Sequence, residues 1–237
     1  MITKSPILVT GCARSGSSMI AAAINACGAF SGELSDPSHS SKRGMFENIR
    51  IREDLVKPYF KQVGMDPMGQ FPVKDISNLT PPSEWKSMVE LIMQKEGYSE
   101  GAWMYKDSRS GLIWPVWNAA YPDAKWVIVR RRTGDVVNSC IKTGYMKAFK
   151  SAENRRSVKV SSEEEGWLWW VHENEKRFNE MINAGVNCKV IWPQRMVNGD
   201  YTQLYEIIDW LGLTWDNKAF NFIHPLLWGS GKNKERV

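Results

Sequence analysis

A chain of 237 residues, 43% of them hydrophobic, fits one α/β domain (residues 1–237) and can bury a core without a disulfide or metal staple. Cys12, Cys27, Cys140 and Cys188 form no CxxC pair and no Cys/His cluster, so zinc-site patterns are excluded and no metal is expected. The net charge of +5 favours an anionic partner, but the basic residues look scattered and no aromatic–basic motif accompanies them. A small multiply charged anion accounts for that excess as well as nucleic acid does, and nucleic acid is not expected. The start MITKSPILVTG has no signal-peptide h-region, and no apolar run is long enough to span a bilayer. Reduced thiols and a cytoplasmic location follow as expectations.

Short β-rich runs alternate with helical stretches, which predicts a mainly parallel sheet covered by helices in three α/β/α layers. Residues 7–10 read as the first strand and 17–27, rich in alanine and closed by Gly28, as the first helix. Helices are expected over 49–63 and 83–96. Residues 103–106 read as a strand, followed by a helix carrying Trp114, Pro115 and Trp117. The run KWVIVR at 125–130 is the clearest buried strand, with Thr133 as N-cap of the next helix. Ser162 and Glu165 make a capping-box pattern opening a long helix. Its Trp167, Trp170, Val171, Asn174 and Phe178 recur at helical spacing and are assigned to the core. A strand over 189–192 and an amphipathic helix over 201–211 complete the pattern.

The first strand-to-helix junction is Gly11-Cys12-Ala13-Arg14-Ser15-Gly16-Ser17-Ser18. Glycines let backbone close around phosphate oxygens, and unpaired N–H groups at a helix start attract anions. The Gly11-x4-Gly16 spacing matches a nucleotide-binding P-loop, but Ser17 stands where a Walker loop requires lysine. The cation sits inside the loop, as Arg14. An ordinary Gly/Ser-rich turn is the alternative.

A second motif follows KWVIVR. Arg131 falls at the carboxyl end of that strand, where open α/β sheets bind ligands, and Ser139 about two turns into the next helix. A guanidinium and a hydroxyl so placed can hold a second, separate phosphate. Asp135, in the first turn, reads as compensation for the helix dipole.

Together these segments resemble the sulfotransferases that use 3′-phosphoadenosine 5′-phosphosulfate (PAPS). Residues Gly11 to Ser18 are similar to that family's 5′-phosphosulfate loop, with Arg14 in its Lys/Arg slot. Arg131, Asp135-Val136 and Ser139 are similar to its 3′-phosphate motif. GMFENIRIREDL, YKDSRSGLIWPVW and the tail WPQRMVNGDYTQLYEIIDWLGLTWD also look like family segments. Departures are Cys12-Ala13, Thr133-Gly134 and Trp192-Pro193-Gln194-Arg195, which put adenine contacts and substrate class in question.

The resemblance implies a P-loop NTPase-like fold and transfer of a sulfuryl group from PAPS, leaving PAP, to a hydroxyl or amine of a small-molecule or glycan acceptor. Gly11 to Ser18, Arg131 and Ser139 would bind the cofactor, with Arg14 and Lys106 as catalytic cations. The histidine that cytosolic members place two residues after a strand-end lysine is absent; Ser108 stands there. His39, His172 and His224 are not assigned. Glycan and protein-tyrosine sulfotransferases use a glutamate after the first helix, which makes Glu33 the first choice of general base and Glu47 the second. Lys232 in the terminal Gly-Ser-Gly-Lys is a further candidate for the 3′-phosphate. The alternatives are a P-loop kinase of a nucleotide or small metabolite, and a non-catalytic PAP-binding protein of sulfotransferase type.

Overall fold

A computed structural model describes residues 4–35, 44–73, 75–143 and 146–223. Four strands, β1 (Ile7–Gly11), β2 (Met104–Lys106), β3 (Lys125–Val129) and β4 (Cys188–Ile191), form a parallel sheet in the order β2-β1-β3-β4. Nine α-helices are described: α1 (Ser17–Ala26), α2 (Lys57–Gln62), α3 (Trp85–Lys95), α4 (Trp114–Ala120), α5 (Thr133–Lys142), α6 (Ala152–Ser157), α7 (Glu163–Asn183), α8 (Pro193–Val197) and α9 (Thr202–Leu211), with short 3-10 helices at Ser108–Ile113, Ala148–Lys150 and Asn217–Phe222. A π-helical stretch, Ile51–Val56, runs directly into α2.

Strand side chains alternate between faces, and each face finds its own helices. Leu8, Tyr105, Trp126 and Ile128 join a core with Val89, Trp117, Val137, Trp167 and Phe178. Ile7, Val9, Met104, Val127 and Val129 join the opposite core with Ile20, Ile24, Leu204 and Ile208. Helices on both sides of a parallel sheet give the three-layer α/β/α architecture. Buried Ala21, Ala22 and Ala23 have no bulk to hold α1 away from the strands. The assigned aromatic core is buried, with Phe149 and Trp167 packed edge to face at 4.8 Å and Trp167 on Trp170 at 5.7 Å.

Two cap expectations need correction. Thr133 is the first helical residue of α5 and not its cap: Arg132 holds that place, its carbonyl accepting from the Asp135 and Val136 N–H groups. At α7 the Ser162 hydroxyl does accept from the Glu165 N–H at 3.1 Å. The Glu165 carboxylate reaches one residue further out, to the N–H and hydroxyl of Ser161 at 2.7 and 2.6 Å.

Gly166 in α7 has no space for a side chain, because a Cβ there would enter the ring of Phe149. Gly166→Ala is expected to lower stability by about 1–3 kcal/mol, read as the urea midpoint. An unchanged midpoint would mean that Phe149 moves aside freely.

Candidate active site

β1 and β3 are neighbours whose onward connections leave toward opposite edges of the sheet, β1 through α1 to β2 and β3 through α5 to β4. The crevice outside their carboxyl ends is therefore the switch point where such sheets take ligands. Gly11 pairs with Val129 across it. A Cβ on Gly11 would collide with the Val129 carbonyl oxygen, so glycine is what lets the two strand ends lie so close.

After Gly11 the chain turns tightly, the Ser15 N–H donating to the Cys12 carbonyl at 3.0 Å. Arg14 has φ +73°, a left-handed conformation rare for a residue with a side chain and frequent where function demands strain. Gly16 caps α1 at φ 96° and no side chain caps that helix start. Its first N–H groups and the positive end of its dipole therefore favour an anion there. The Ser15 hydroxyl, in a residue only 1% exposed, has no hydrogen-bond partner among the described residues. The Ser18 hydroxyl donates to the Met45 carbonyl at 3.0 Å and ties the 44–48 segment to the loop.

The glycine loop and the Arg131–Ser139 motif meet. Arg14 Nε donates to Ser139 Oγ at 2.9 Å, and Arg131 Nη1 donates to the Arg14 carbonyl at 3.0 Å. Burial lowers the Arg131 pKa; Asp135, 4.0 Å away, partly offsets this and the Arg14 charge adds to it. Two guanidinium groups gathered beside a hydroxyl and an uncapped helix concentrate positive potential that can attract a polyanion.

On the other side of β1, Lys106 ends β2 opposite Val9. It is 4% exposed, and its Nζ donates to Glu47 Oε1 at 2.9 Å. Glu47 Oε2 accepts from Arg109 Nη2 and from Arg52 Nη1, each at 3.1 Å. Arg109 is fixed in turn by Asp107, whose other oxygen takes the Tyr105 hydroxyl at 2.8 Å. Burial pushes the Glu47 carboxyl up, but Lys106, Arg109 and the hydrogen bonds from Lys106 and Arg52 outweigh it and hold the pKa down at about 2. Arg52, Asp107 and Arg109 were not singled out from the sequence; the YKDSR phrase that contains two of them was the available signal.

Glu33 is exposed, and its interactions run through its backbone: its N–H donates to Glu96 Oε2 at 2.8 Å and its carbonyl accepts from Ile49 at 3.1 Å. A bridge between Leu34 and Asn48 lays the two glutamate segments side by side, so Glu33 and Glu47 differ in burial more than in place along the fold. His172 is exposed on α7, away from these contacts. Trp192, 39% exposed, lies just past β4, which stops at Ile191 and not at the expected 192, and is the N-cap of α8; Arg195 pairs with Asp200 at 2.7 Å on the surface. His39, His224 and Lys232 lie outside the described residues. Among the described residues no cluster of metal-ligand side chains is gathered and no helix is long and apolar enough to cross a membrane.

Among solved structures the chain is similar to sulfotransferase STF9 from Mycobacterium avium, with a TM-score of 0.58 at 11% identity over 94% of this chain and 67% of that one. The sulfotransferase domain of the Synechococcus PCC 7002 olefin synthase follows at TM-score 0.48 and 16% identity, covering 97% and 89%. Sulfotransferase STF1 from Mycobacterium tuberculosis H37Rv gives 0.48 and 14%, covering 94% and 71%. At such identities the likeness to STF9 is one of fold. No match is found among curated proteins. The model of the sulfotransferase family matches residues 6–217, nearly the whole length over which the strands, the glycine loop and the Arg131–Ser139 motif have been traced. The chain belongs to the sulfotransferase family.

Proposed function

We propose that this protein transfers a sulfuryl group from PAPS to a hydroxyl or amine of an acceptor. The observation that carries this reading is the pair of hydrogen bonds joining Arg14 to Ser139 and Arg131 to the Arg14 carbonyl, which unites two anion-binding motifs in one crevice. A nucleotide with phosphates at both its 5′ and 3′ positions needs two such sites. The residues fit it: the uncapped start of α1 and the unpartnered, buried Ser15 hydroxyl suit the 5′ group, and Arg131 with Ser139 suits the 3′ phosphate.

PAPS, when bound, supplies the activated sulfuryl group. The protein's share is alignment and electrostatics. Arg14 and the loop N–H groups would hold the 5′ end of the cofactor and supply positive potential for charge on its phosphate. Lys106 lies one strand over, on β2, and would offer a second cation to the sulfuryl group. Proton acceptance from the acceptor is assigned to Glu47 ahead of Glu33, since Glu47 alone of the two touches Lys106. Its depressed pKa makes it a weak base while three cations surround it. Anionic charge brought in beside Lys106 draws those cations away and raises its basicity.

Thermal shift with PAP, ATP and ADP tests the cofactor. PAP is expected to stabilise the wild type well beyond ATP or ADP, and Arg131→Ala to lose most of that shift, about 2 kcal/mol of binding for a charged phosphate contact. Equal responses to all three nucleotides would overturn the assignment, and an ATP-selective, magnesium-dependent shift would favour a kinase.

A further inference from the structure

The stretch between Lys142 and Lys159 carries Lys142, Lys147, Lys150, Arg155, Arg156 and Lys159 against the single carboxylate Glu153. That surplus of five equals the net charge of the whole chain, +5, so the remainder is electrically balanced. The positive charge is local, contrary to the impression of scatter along the sequence. Lys147, Lys150, Arg156 and Lys159 are exposed and make no ion pair with any described residue.

This surface is rigidly mounted and adjoins the candidate site. Phe149 anchors it on Trp167 and Gly166. The Ala148 N–H donates to Gln70 Oε1 at 3.1 Å, Trp170 Nε1 donates to the Gly69 carbonyl at 2.7 Å, and Arg109 Nη1 reaches the Pro67 carbonyl at 3.4 Å. The 67–70 loop thus bridges the basic stretch to Arg109, and Arg109 holds Glu47.

Lys159 adds an independent sign. The end of α6 is a Schellman turn, with the Val160 N–H on the Arg155 carbonyl at 3.0 Å and the Lys159 N–H on the Arg156 carbonyl at 3.1 Å. Glycine is the usual occupant of that left-handed position, yet Lys159 sits there at φ +60°. Arg14, Phe46 and Lys159 are the non-glycine residues described with positive φ. The first lies in the phosphate loop and the second adjoins Glu47, so strain elsewhere tracks the site.

Resting on the sulfotransferase reading, we infer that the acceptor is an acidic glycan, whose carboxylates dock on Lys147, Lys150, Arg156 and Lys159 while one hydroxyl enters beside Glu47 and Lys106. A chain of regularly spaced carboxylates matches a field of exposed cations. Helical and 3-10 backbone in this stretch offers no strand edge to a peptide. Half-buried Trp169, packed on Phe149 at 6.0 Å, leaves part of its indole for the apolar face of a sugar ring.

The test titrates the protein with an unsulfated polyglucuronate oligosaccharide and, separately, with PAP. A four-site variant, Lys147→Ser, Lys150→Ser, Arg156→Ser and Lys159→Gly, is compared with wild type. Expected are salt-sensitive uronate binding, weakened at least about tenfold in the variant, unchanged PAP affinity, and no binding of neutral dextran. Lys159→Gly alone is expected to weaken uronate binding while leaving or raising the melting temperature, which separates loss of a ligand contact from loss of fold. Wild-type uronate affinity in the four-site variant, or tighter binding of poly-glutamate or an oligonucleotide of equal charge, would overturn the inference while PAP binding still upheld the sulfotransferase reading. Failure of PAP to bind would overturn that reading itself, and with it the role of acceptor.

Discussion

Glu47→Gln is expected to lower stability by about 3–5 kcal/mol at neutral pH, because it leaves three buried or half-buried cations without the carboxylate that gathers them. The titration of Glu47 gives a consistent magnitude: moving a carboxyl pKa from 4.5 to about 2 corresponds to roughly 3 kcal/mol. The sign fixes the pH dependence. A pKa depressed by folding contributes stability that is complete above the unfolded value near 4.5 and is lost as pH falls toward 2. Denaturant midpoints of wild type and Glu47→Gln should therefore stand far apart at pH 7 and converge between about pH 5 and pH 2. A gap that did not change with pH would show that Glu47 is not the ionised centre of the cluster.

The same substitution separates the two candidate bases. Glu33→Gln alters an exposed side chain and is expected to leave stability within about 0.5 kcal/mol of wild type. Turnover should collapse in Glu47→Gln and persist in Glu33→Gln. Loss of turnover in Glu33→Gln alone would return the proton acceptor's role to Glu33.

The glycine loop and the Arg131–Ser139 motif could be placed from the sequence because their pieces are local. Eight consecutive residues build the loop, and the Arg131-to-Ser139 spacing is set by a strand end and two turns of one helix. What spacing could not give was that the motifs touch, through bonds between residues 125 and 117 positions apart. The Glu47 cluster was illegible for the same reason in stronger form. Glu47 meets Lys106 and Arg109 across 59 and 62 residues, and neither periodicity nor capping ranks one loop glutamate above another. Burial does, and burial is a tertiary property.

The local misreadings have equally specific causes. Thr133 satisfies the residue preference for an N-cap, but the turn after Arg131 lets the Arg132 carbonyl take the first helical bonds, and α5 begins one residue earlier. Helices α6 and α8 have six and five residues, too few for an apolar period to register. α6 buries none of its own residues and is held by the Ser151 hydroxyl at its start and the Schellman turn at its end. Its charges, legible as composition, gain meaning from the packing of Phe149 that fixes where they stand.

Arg14→Gly is expected to reduce turnover by about 10²–10³-fold while leaving stability within about 1 kcal/mol of wild type, a separation that follows from the backbone at this position. Glycine adopts φ +73° without a Cβ clash, which relieves about 1 kcal/mol of strain; the greater freedom of glycine in the unfolded chain and the lost bond to Ser139 each oppose this by a similar amount. The Arg14 carbonyl remains in the variant, so the tether from Arg131 Nη1 survives and the loop stays docked on β3. Only the guanidinium leaves. Steady-state turnover with PAPS, alongside PAP affinity and melting temperature, reads the three quantities separately. Wild-type turnover in Arg14→Gly would remove Arg14 from the reaction and leave charge stabilisation to the α1 N–H groups. Arg14→Lys divides what remains: it restores the charge and the strain but not the planar fork that reaches Ser139. Turnover near that of Arg14→Gly would assign the effect to the Arg14–Ser139 bond that locks the two phosphate motifs together, and turnover near wild type would assign it to charge alone.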